Sequence, residues 1–415
     1  MESAERPLRI ARIIARLNVG GPTRHVVWLT AALQPPEFES TLITGTVPPG
    51  EDDMNDFAHE HGVTPVYIKE MSREISPRDV VTIWKLFRYF RKLRPDIVHT
   101  HTAKAGAAGR TAGFLYRWLT PGTLIGRPRR VRFVHTYHGH VFHSYYGRLK
   151  TRLFLAIEKT LARLTDAIVV ISEQQRREIH ETFGVGRAKQ FRVVPLGLDL
   201  SAVQNVTRDR EARARLGISD EIVVAIVGRL APIKNHELFL RVAAAIAPSH
   251  PRVRFVVYGD GSDRAALEAR AAELQLGDRV VFAGTRAAGE IYASIDIAAL
   301  TSLNEGTPLS LIEALASGIP CVSTAVGGVV DVLGAPESLG SEGDATYEIR
   351  ERGITAASND AAGLAAGLRR LLADDALRGT FRARGPEFAK AVYAKERLVV
   401  DIIRLYRELR AELRS

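Results

Sequence analysis

The sequence is almost without cysteine, since Cys321 is the only one in 415 residues. A single thiol cannot form an internal disulfide, so a disulfide-stabilised scaffold is excluded and a reducing compartment is indicated. Cys321 stands in an apolar segment, where a thiol is a small core residue rather than a nucleophile. Long apolar runs are lacking too, because no uncharged stretch approaches the ~18–20 residues of a membrane-spanning helix. The first residues carry acids and have no apolar core, so no secretory signal is expected.

Several signatures of cofactor and metal enzymes are also missing. The glycine turn at Gly20 and Gly21 lacks the Gly-x-Gly-x-x-Gly spacing of a dinucleotide site. The histidine-rich segment from His135 has neither a carboxylate at ligand spacing nor an HExxH helix, so we predict no metal there. No Asp-x-Asp pair stands in a plausible loop, and no RNA- or DNA-binding module is recognisable. We therefore expect no resident metal, no cofactor and no nucleic-acid partner.

Charge is present but unevenly placed. Residues 1–199 contain 30 Lys and Arg against 19 Asp and Glu, a net charge of +11, whereas residues 200–415 contain 27 against 28, a net charge of −1. This asymmetry favours an acidic partner for the first half, either nucleic acid or an anionic membrane surface.

One stretch of the basic half mixes aromatic and cationic residues, namely Phe114, Tyr116 and Trp118 followed by Arg127, Arg129, Arg130 and Arg132. That composition is typical of an interfacial membrane contact. The alternative is a helix end followed by a solvated loop. With either interpretation the chain would be cytoplasmic, and with the first it would be peripheral on the inner face of the cell membrane.

Short apolar strands alternate with helices along the chain. A β-branched run at residues 8–17, a glycine turn and a helical pattern at 25–33 begin the first half. An apolar run at 221–230, a turn and a helix from Asn235 begin the second. Strands that alternate with helices predict parallel α/β sheets, which bind ligands at the carboxyl ends of their strands.

The most informative segment is residues 302–328, SLNEGTPLSLIEALASGIPCVSTAVGG. We predict Thr307 as a helix N-cap, Pro308 as the first helical residue and an end near Gly318. The helix is apolar almost throughout, so Glu313 in its middle must either pair with a protein group or bind a ligand.

A second carboxylate, Glu305, stands eight residues before Glu313. Between the two lies the helix start, whose amides favour phosphate, while carboxylates accept hydrogen bonds from hydroxyls. The pattern predicts a ligand in which hydroxyl-bearing groups flank a diphosphate, which is the layout of a nucleotide-sugar. A buried helix with a salt-bridged Glu313 is the alternative.

This segment resembles the donor-site motif of family 4 retaining glycosyltransferases of the GT-B fold. The similarity lies in Glu-x7-Glu with the flanking Gly-Thr-Pro, Ala-Ser-Gly-x-Pro and Val-Gly-Gly, and in Gly-Arg-Leu-x-x-x-Lys-Asn at residues 228–235. It extends over nearly the whole chain, although the motifs are specific only in residues 227–328. Asp331 departs from the pattern, because the family often has Glu there.

The resemblance implies an α/β fold of two Rossmann-like domains that face each other across a cleft. Residues 1–199 would form the acceptor-side domain and residues 200–390 the donor-binding domain, and a helix at 391–415 would pack back on the first domain. In the donor site, Glu305 would accept hydrogen bonds from sugar hydroxyls and Glu313 from the ribose. Arg229 and Lys234 would neutralise the leaving diphosphate.

Further site residues follow from the same resemblance. His138, with His140 as its rival, would lie beside the reacting sugar, whereas His99 and His101 are interpreted as structural histidines. The remaining predicted donor-site residues are Gly20, Gly21, Gly284, Thr285, Arg286, Gly306, Thr307, Pro308 and Leu309.

The sequence therefore predicts a retaining transferase that moves a sugar from a nucleotide-sugar substrate, a UDP-sugar, without a metal requirement. The expected acceptor is a lipid-linked sugar in polysaccharide or glycan biosynthesis. A small soluble acceptor is the alternative within this class. Outside it stand a nucleotide-sugar 2-epimerase of the same fold, an inactive nucleotide-sugar binding module and a nucleic-acid binder.

Overall fold

A computed structural model describes residues 6–48, 52–71, 77–138 and 148–414 of the chain. The chain divides into two compact units. Unit 1 comprises Met1–Gly197 and Lys395–Ser415, and unit 2 comprises Leu198–Ala394. The chain thus returns to unit 1 for its last residues.

Unit 1 is an α/β sandwich around one sheet. Its strands are β1 (Leu8–Ile14), β2 (Phe38–Thr44), β3 (Val66–Tyr67), β4 (Ile97–His101), β5 (Arg132–Thr136), β6 (Ala167–Val170) and β7 (Phe191–Val193). Its helices are α1 (Gly21–Ala32), α2 (Asn55–Glu60), α3 (Arg78–Leu93), α4 (Ala103–Trp118), α5 (Arg148–Arg163), α6 (Glu173–Arg177) and, from the end of the chain, α15 (Lys395–Arg414).

The unit 1 sheet is parallel throughout, with the strand order β3-β2-β1-β4-β5-β6-β7. Both of its faces are covered. One carries a core to which α15 contributes Leu398, Ile402 and Tyr406, and the other packs on α3 and α4. Parallel sheets need cover on both faces, and α15 supplies part of that cover.

Unit 2 is built in the same way. Its strands are β8 (Ile222–Val227), β9 (Val253–Tyr258), β10 (Val280–Gly284), β11 (Ile297–Leu300), β12 (Cys321–Thr324), β13 (Pro336–Glu342), β14 (Ala345–Arg350) and β15 (Gly353–Ala356). Its helices are α7 (Arg210–Ala214), α8 (His236–Ile246), α9 (Arg264–Glu273), α10 (Ala288–Ser294), α11 (Leu309–Ala316), α12 (Val329–Leu333), α13 (Ala361–Ala373) and α14 (Asp375–Tyr393).

The unit 2 sheet has the order β10-β9-β8-β11-β12-β15-β14-β13. Its first six strands are parallel, as the alternation predicted. The last two were not predicted: β13 and β14 form an antiparallel hairpin at the edge. β13 reads PESLGSE and is almost wholly exposed, so it has no apolar pattern that could have indicated a strand.

In each sheet the direction of strand addition reverses beside the first strand, between β1 and β4 in unit 1 and between β8 and β11 in unit 2. We call these the unit 1 and unit 2 switch points. In unit 2 the direction reverses again at the edge strand β13, from which β14 and β15 return toward β12. In open parallel sheets the loops on either side of a switch point diverge at the carboxyl edge, and this leaves a crevice that suits a ligand.

The end of the chain differs from the predicted single long helix at residues 391–413. Ala394 has an extended backbone conformation, so that α14 ends at Tyr393 and α15 begins at Lys395. In the part of the chain that the structure describes, no helix is both long and apolar enough to cross a membrane.

Candidate functional site

Two loops meet at the unit 2 switch point. The hydroxyl of Thr301, after β11, is 2.9 Å from the carbonyl oxygen of Asn235, to which it donates. The N–H of Leu303 donates to the carbonyl of Ile233 over 2.9 Å. These bonds hold the two predicted motifs, at residues 228–235 and 305–313, side by side at the carboxyl edge.

The centre of this site is an ion pair between Lys234 and Glu305, whose Nζ and Oε1 atoms are 2.6 Å apart. Ser302 donates its hydroxyl to the same carboxylate oxygen, also over 2.6 Å. The Glu305 side chain is only 9% exposed, whereas that of Lys234 is 28% exposed. The sequence predicted both residues but assigned them to different parts of the ligand, and it did not predict that they contact each other.

The Val-Gly-Gly segment explains how the Glu305 loop is held. The N–H of Gly328 donates to the carbonyl of Glu305 over 3.0 Å. A Cβ on Gly327, which has φ +48°, would lie 1.9 Å from that carbonyl oxygen, and one on Gly328 would lie 2.0 Å from the oxygen of Gly306. Both positions therefore require glycine, because no side chain fits between the two loops.

The helix after Glu305 starts slightly later than predicted. α11 runs from Leu309, and Pro308, not Thr307, occupies the N-cap position. Within the described residues, the backbone amides of Gly306, Thr307 and Leu309 donate to no protein acceptor. Free amides at a helix start are suited to bind phosphate oxygens, as the sequence indicated.

Glu313 has a protein partner. The hydroxyl of Tyr292, on α10, donates to Glu313 Oε2 over 2.9 Å and lies 3.0 Å from the carbonyl of Ser310. Burial, followed by the charge of Glu313, raises the pKa of Tyr292 well above its usual range. Tyr292 therefore stays protonated and orients a half-buried carboxylate, which keeps acceptor capacity for ligand hydroxyls.

The other predicted donor-site residues of unit 2 lie along the same edge. Arg229 is exposed and forms no ion pair with any described residue. Gly284 ends β10, an edge strand, and Thr285 and Arg286 follow it. Arg286 is 4.0 Å from Glu290. Three strand spacings of about 4.8 Å separate β10 from β11, or roughly 14 Å. The residues therefore line an elongated site rather than a compact one.

The unit 1 switch point carries a histidine cluster. His25 on α1, His101 at the end of β4 and His138 after β5 have ring nitrogens within 4.8 Å of one another, an arrangement that could hold a metal ion. His101 Nδ1 and His138 Nε2 are 3.0 Å apart. As the sequence predicted, His101 stands at a strand end with a partner at each ring nitrogen, and one of these partners is the predicted site residue His138.

Arg12 lies beneath this cluster in the middle of β1 and is fully buried. Its Nη1 is 3.4 Å from His101 Nε2 and 3.3 Å from His99 Nδ1. His99 is satisfied on both sides, by Tyr406 at 2.6 Å and Thr136 at 2.7 Å, which agrees with the structural role predicted for it. No carboxylate among the described residues pairs with Arg12.

Burial keeps these histidines neutral. Desolvation, followed by the charge of neighbouring groups, lowers the pKa of His25, His99 and His101 well below the usual range. Burial alone lowers the pKa of His138 to about 4. At neutral pH each ring therefore carries one proton, on one of its two nitrogens.

Gly20 and Gly21 stand at the start of α1, as predicted, with Gly20 at the N-cap position. His140, the rival to His138, lies outside the described residues. Sequence reasoning missed Arg12, His25, Tyr292 and Ser302. Only Arg12 left a signal, as a charged residue inside an apolar β-branched strand.

Known families account for most of the chain. A model of the group 1 glycosyl transferases matches residues 208–388, and a model of glycosyltransferase family 4 matches residues 19–202. The chain belongs to glycosyltransferase family 4. The two matched regions cover most of unit 2 and unit 1 respectively.

Curated relatives include the UDP-Gal:alpha-D-GlcNAc-diphosphoundecaprenol alpha-1,3-galactosyltransferase of Escherichia coli. It is 27% identical over 335 residues, which are 79% of this chain and 82% of that protein. The D-inositol 3-phosphate glycosyltransferase of Kineococcus radiotolerans is 32% identical over 56% of this chain and 55% of its own length. Among solved structures, Anabaena Alr3699/HepE in complex with UDP has a TM-score of 0.74 at 18% identity, with 97% of this chain and 100% of that chain covered.

These comparisons confirm the predicted α/β fold of two Rossmann-like domains and the predicted enzyme class. The family 4 enzyme is a glycosyltransferase that uses a nucleotide-sugar. The alternative of a nucleotide-sugar 2-epimerase receives no support from the matches, whose names describe sugar transfer.

Proposed function

We propose that this family 4 enzyme transfers a hexose from a UDP-sugar, with retention at the anomeric carbon, to a lipid-linked acceptor that bears a diphosphate. The observation that carries the donor part is the Lys234–Glu305 pair at the unit 2 switch point, beside the free amides of α11. The UDP-sugar and the lipid diphosphate are suggested by the name of the Escherichia coli relative, and UDP also by the Anabaena structure.

The donor would be held by groups that already stand in place. Lys234 is the more exposed member of its pair, so its ammonium can turn toward the diphosphate while Ser302 continues to hold the Glu305 carboxylate. Arg229 would add a second cation at the same loop, and the α11 amides would donate to phosphate oxygens. Such fixed donors stabilise the charge that develops as the nucleoside diphosphate leaves.

Retention would proceed without a covalent sugar–Glu305 intermediate. The Glu305 carboxylate accepts a hydrogen bond from Ser302, which remains when Lys234 turns to the diphosphate and lowers the nucleophilicity of the carboxylate. A carboxylate so engaged is suited to accept hydrogen bonds from the hydroxyls of the donor sugar. This supports substitution on the face from which the diphosphate departs.

The membrane surface first indicated by the sequence needs revision. Tyr116 is buried beneath the Arg129 guanidinium, and Arg132 pairs with Asp166 at 2.8 Å. Trp118 is 40% exposed, but it ends a helix that follows β4, so it lies at the amino edge of the sheet. A membrane bound there would lie opposite the edge that carries His138.

Helix α3 offers a better surface. It ends three residues before β4 begins, so its start points toward the carboxyl edge. Val80 is 72% exposed and Trp84 52%, and the Arg88 guanidinium lies 4.8 Å from the Trp84 ring centroid. Further exposed cations of α3 are Arg78, Lys85, Arg91 and Lys92. An apolar strip edged by cations is suited to an anionic lipid surface.

The test is release of nucleoside diphosphate by the full chain with a panel of nucleotide-sugars, with and without a lipid extract. We expect release to require a UDP-hexose and to increase when lipid diphosphate sugars are added. A matched extract treated to hydrolyse the diphosphate is the control. Release that is stimulated only by small soluble sugars would contradict the lipid-linked acceptor, and an altered sugar nucleotide without transfer would contradict the transferase assignment.

A further inference from the structure

From the unit 1 switch point we infer that Arg12 and His101 fix the tautomer of His138, so that His138 presents a protonated Nδ1 to the substrate and acts only as a hydrogen-bond donor. Arg12 and His101 are then positioning residues. The inference rests on the proposed function only for the substrate that would supply an acceptor to Nδ1.

Arg12 sets the direction of the hydrogen bonds that run from its guanidinium through His101 to His138. A guanidinium has only N–H donors and does not lose its proton in proteins. Its Nη1 contacts His101 Nε2 at 3.4 Å, so that nitrogen must supply a lone pair. Neutral His101 then carries its proton on Nδ1, which is 3.0 Å from His138 Nε2. His138 Nε2 is thus an acceptor, and the proton of neutral His138 must be on Nδ1.

That Nδ1 has no hydrogen-bond partner among the described residues. A buried N–H without a partner costs free energy, and a ligand oxygen would satisfy it. The opposite direction of hydrogen bonding is excluded. With a proton on His138 Nε2, His101 would accept at Nδ1 and carry its own proton on Nε2, where it would face the Arg12 N–H. His138 is therefore unable to serve as a general base through Nδ1.

The same tautomers disfavour a metal ion at His25, His101 and His138. To bind a cation through Nδ1, His101 would need a lone pair where it now carries a proton. It would then hold its proton on Nε2, against the Arg12 donor. The buried guanidinium would also repel the ion, because no described carboxylate offsets its charge.

The test is a two-bond 1H–15N correlation spectrum of the full chain labelled with [15N]histidine, recorded at neutral pH. Protonated and unprotonated ring nitrogens have distinct shifts and couplings, and His138→Gln identifies the signals. We expect His138 and His101 both to be protonated at Nδ1. A proton on Nε2 of His138, or joint shifts of His25, His101 and His138 with one equivalent of Zn²⁺, would overturn the inference.

Two variants separate positioning from simple packing. Arg12→Met removes the donor and should shift His138 toward the Nε2-protonated form, whereas Arg12→Lys keeps a donor and should preserve the wild-type tautomer. Thr136→Val is the matched control, since Thr136 bonds His99 and not the His101–His138 pair. An unchanged His138 spectrum in folded Arg12→Met would overturn the inference.

Kinetics add a second measurement. Arg12→Met should lower kcat at least about tenfold, the scale of one lost hydrogen bond, with the donor KM nearly unchanged. A rise in KM at constant kcat would contradict a role in the reaction. Absence of transfer in wild-type protein would count against the proposed function alone, because the spectrum decides the tautomer without any substrate.

Discussion

The two switch points occupy the same place in two similar sheets, yet they handle charge in opposite ways. Unit 2 places the partly exposed ammonium of Lys234 2.6 Å from the nearly buried carboxylate of Glu305. Unit 1 buries one guanidinium completely and surrounds it with neutral rings. The unit 2 site can therefore exchange its ion-pair partner for a charged ligand. The unit 1 site instead uses its buried cation to fix which nitrogens of the neutral rings donate and which accept.

The largest effect on activity is expected when the cation of the unit 2 ion pair is removed. Lys234→Met should lower kcat about 10²- to 10³-fold, the range for loss of a preorganised stabilising group. Lys390→Met, at an exposed lysine of the same unit, is the control and should leave kcat unchanged. Steady-state kinetics with the preferred donor would measure both. A Lys234 variant within a few-fold of wild type would remove the distinction between the two switch points.

The next effect concerns the loop contact behind Glu305. Gly327→Ala places a methyl group 1.9 Å from the Glu305 carbonyl and should destabilise the chain by roughly 3 kcal/mol, through strain and overpacking. Gly343→Ala is the matched control, with φ +60° and open space around it, and should cost only about 1 kcal/mol. Denaturant unfolding would compare them. Equal costs would show that the loop contact is not tight.

Acid should lower the stability of unit 1 more than that of unit 2. A histidine whose folded pKa is lowered stabilises the protein fully above about pH 6.5, and this stability is lost as the pH falls towards the folded pKa, because only the unfolded state takes up protons. The described part of unit 1 contains five such histidines, His25, His99, His101, His135 and His138, whereas the described part of unit 2 contains one, His236.

Between pH 7 and pH 6 we therefore expect unit 1 to lose roughly 3 kcal/mol, or about 10 °C in Tm, and unit 2 much less. All three tryptophans, Trp28, Trp84 and Trp118, belong to unit 1, so their fluorescence reports its unfolding alone. Circular dichroism reports both units. Coincident acid shifts by the two methods would contradict the contrast between the units.

The smallest effect concerns the surface of unit 1. Val80→Ser with Trp84→Ser should weaken binding to anionic vesicles by about tenfold or less, since only part of each side chain would leave water. Leu124→Ser with Ile125→Ser, at residues that are more exposed but lie at the amino edge, is the control and should have no effect. Co-sedimentation at low and high salt would measure both pairs. Loss of vesicle binding only in the control pair would place the membrane-binding surface at the end of α4 instead of on α3.

The sequence was informative where a pattern is local. The helix between Glu305 and Gly318 could be predicted, with its start placed one residue too early, because helix start and stop signals depend on local residue type. The Tyr292–Glu313 and Arg12–His101 contacts could not, because their partners are 21 and 89 residues apart. Only the register of neighbouring strands and helices brings such residues together.

The hairpin of β13 and β14 shows the same limit from another side. β13 has no alternating apolar pattern, and its pairing is fixed by the neighbouring strand β14, which in turn pairs with β15. The two-helix end of the chain was also missed, since α14 and α15 are both amphipathic and one extended residue, Ala394, separates them. Tertiary context, rather than local propensity, decides such elements.

The return of the chain to unit 1 has a consequence for biosynthesis. The core of unit 1 includes Leu398, Ile402, Leu405 and Tyr406, the last of which also bonds His99. A ribosome makes residues up to Gly197 well before α15, so unit 1 lacks part of its core until α15 emerges. Unit 2 is continuous from Leu198 to Ala394 and can close sooner. Of the two units, unit 1 is therefore begun first and completed second.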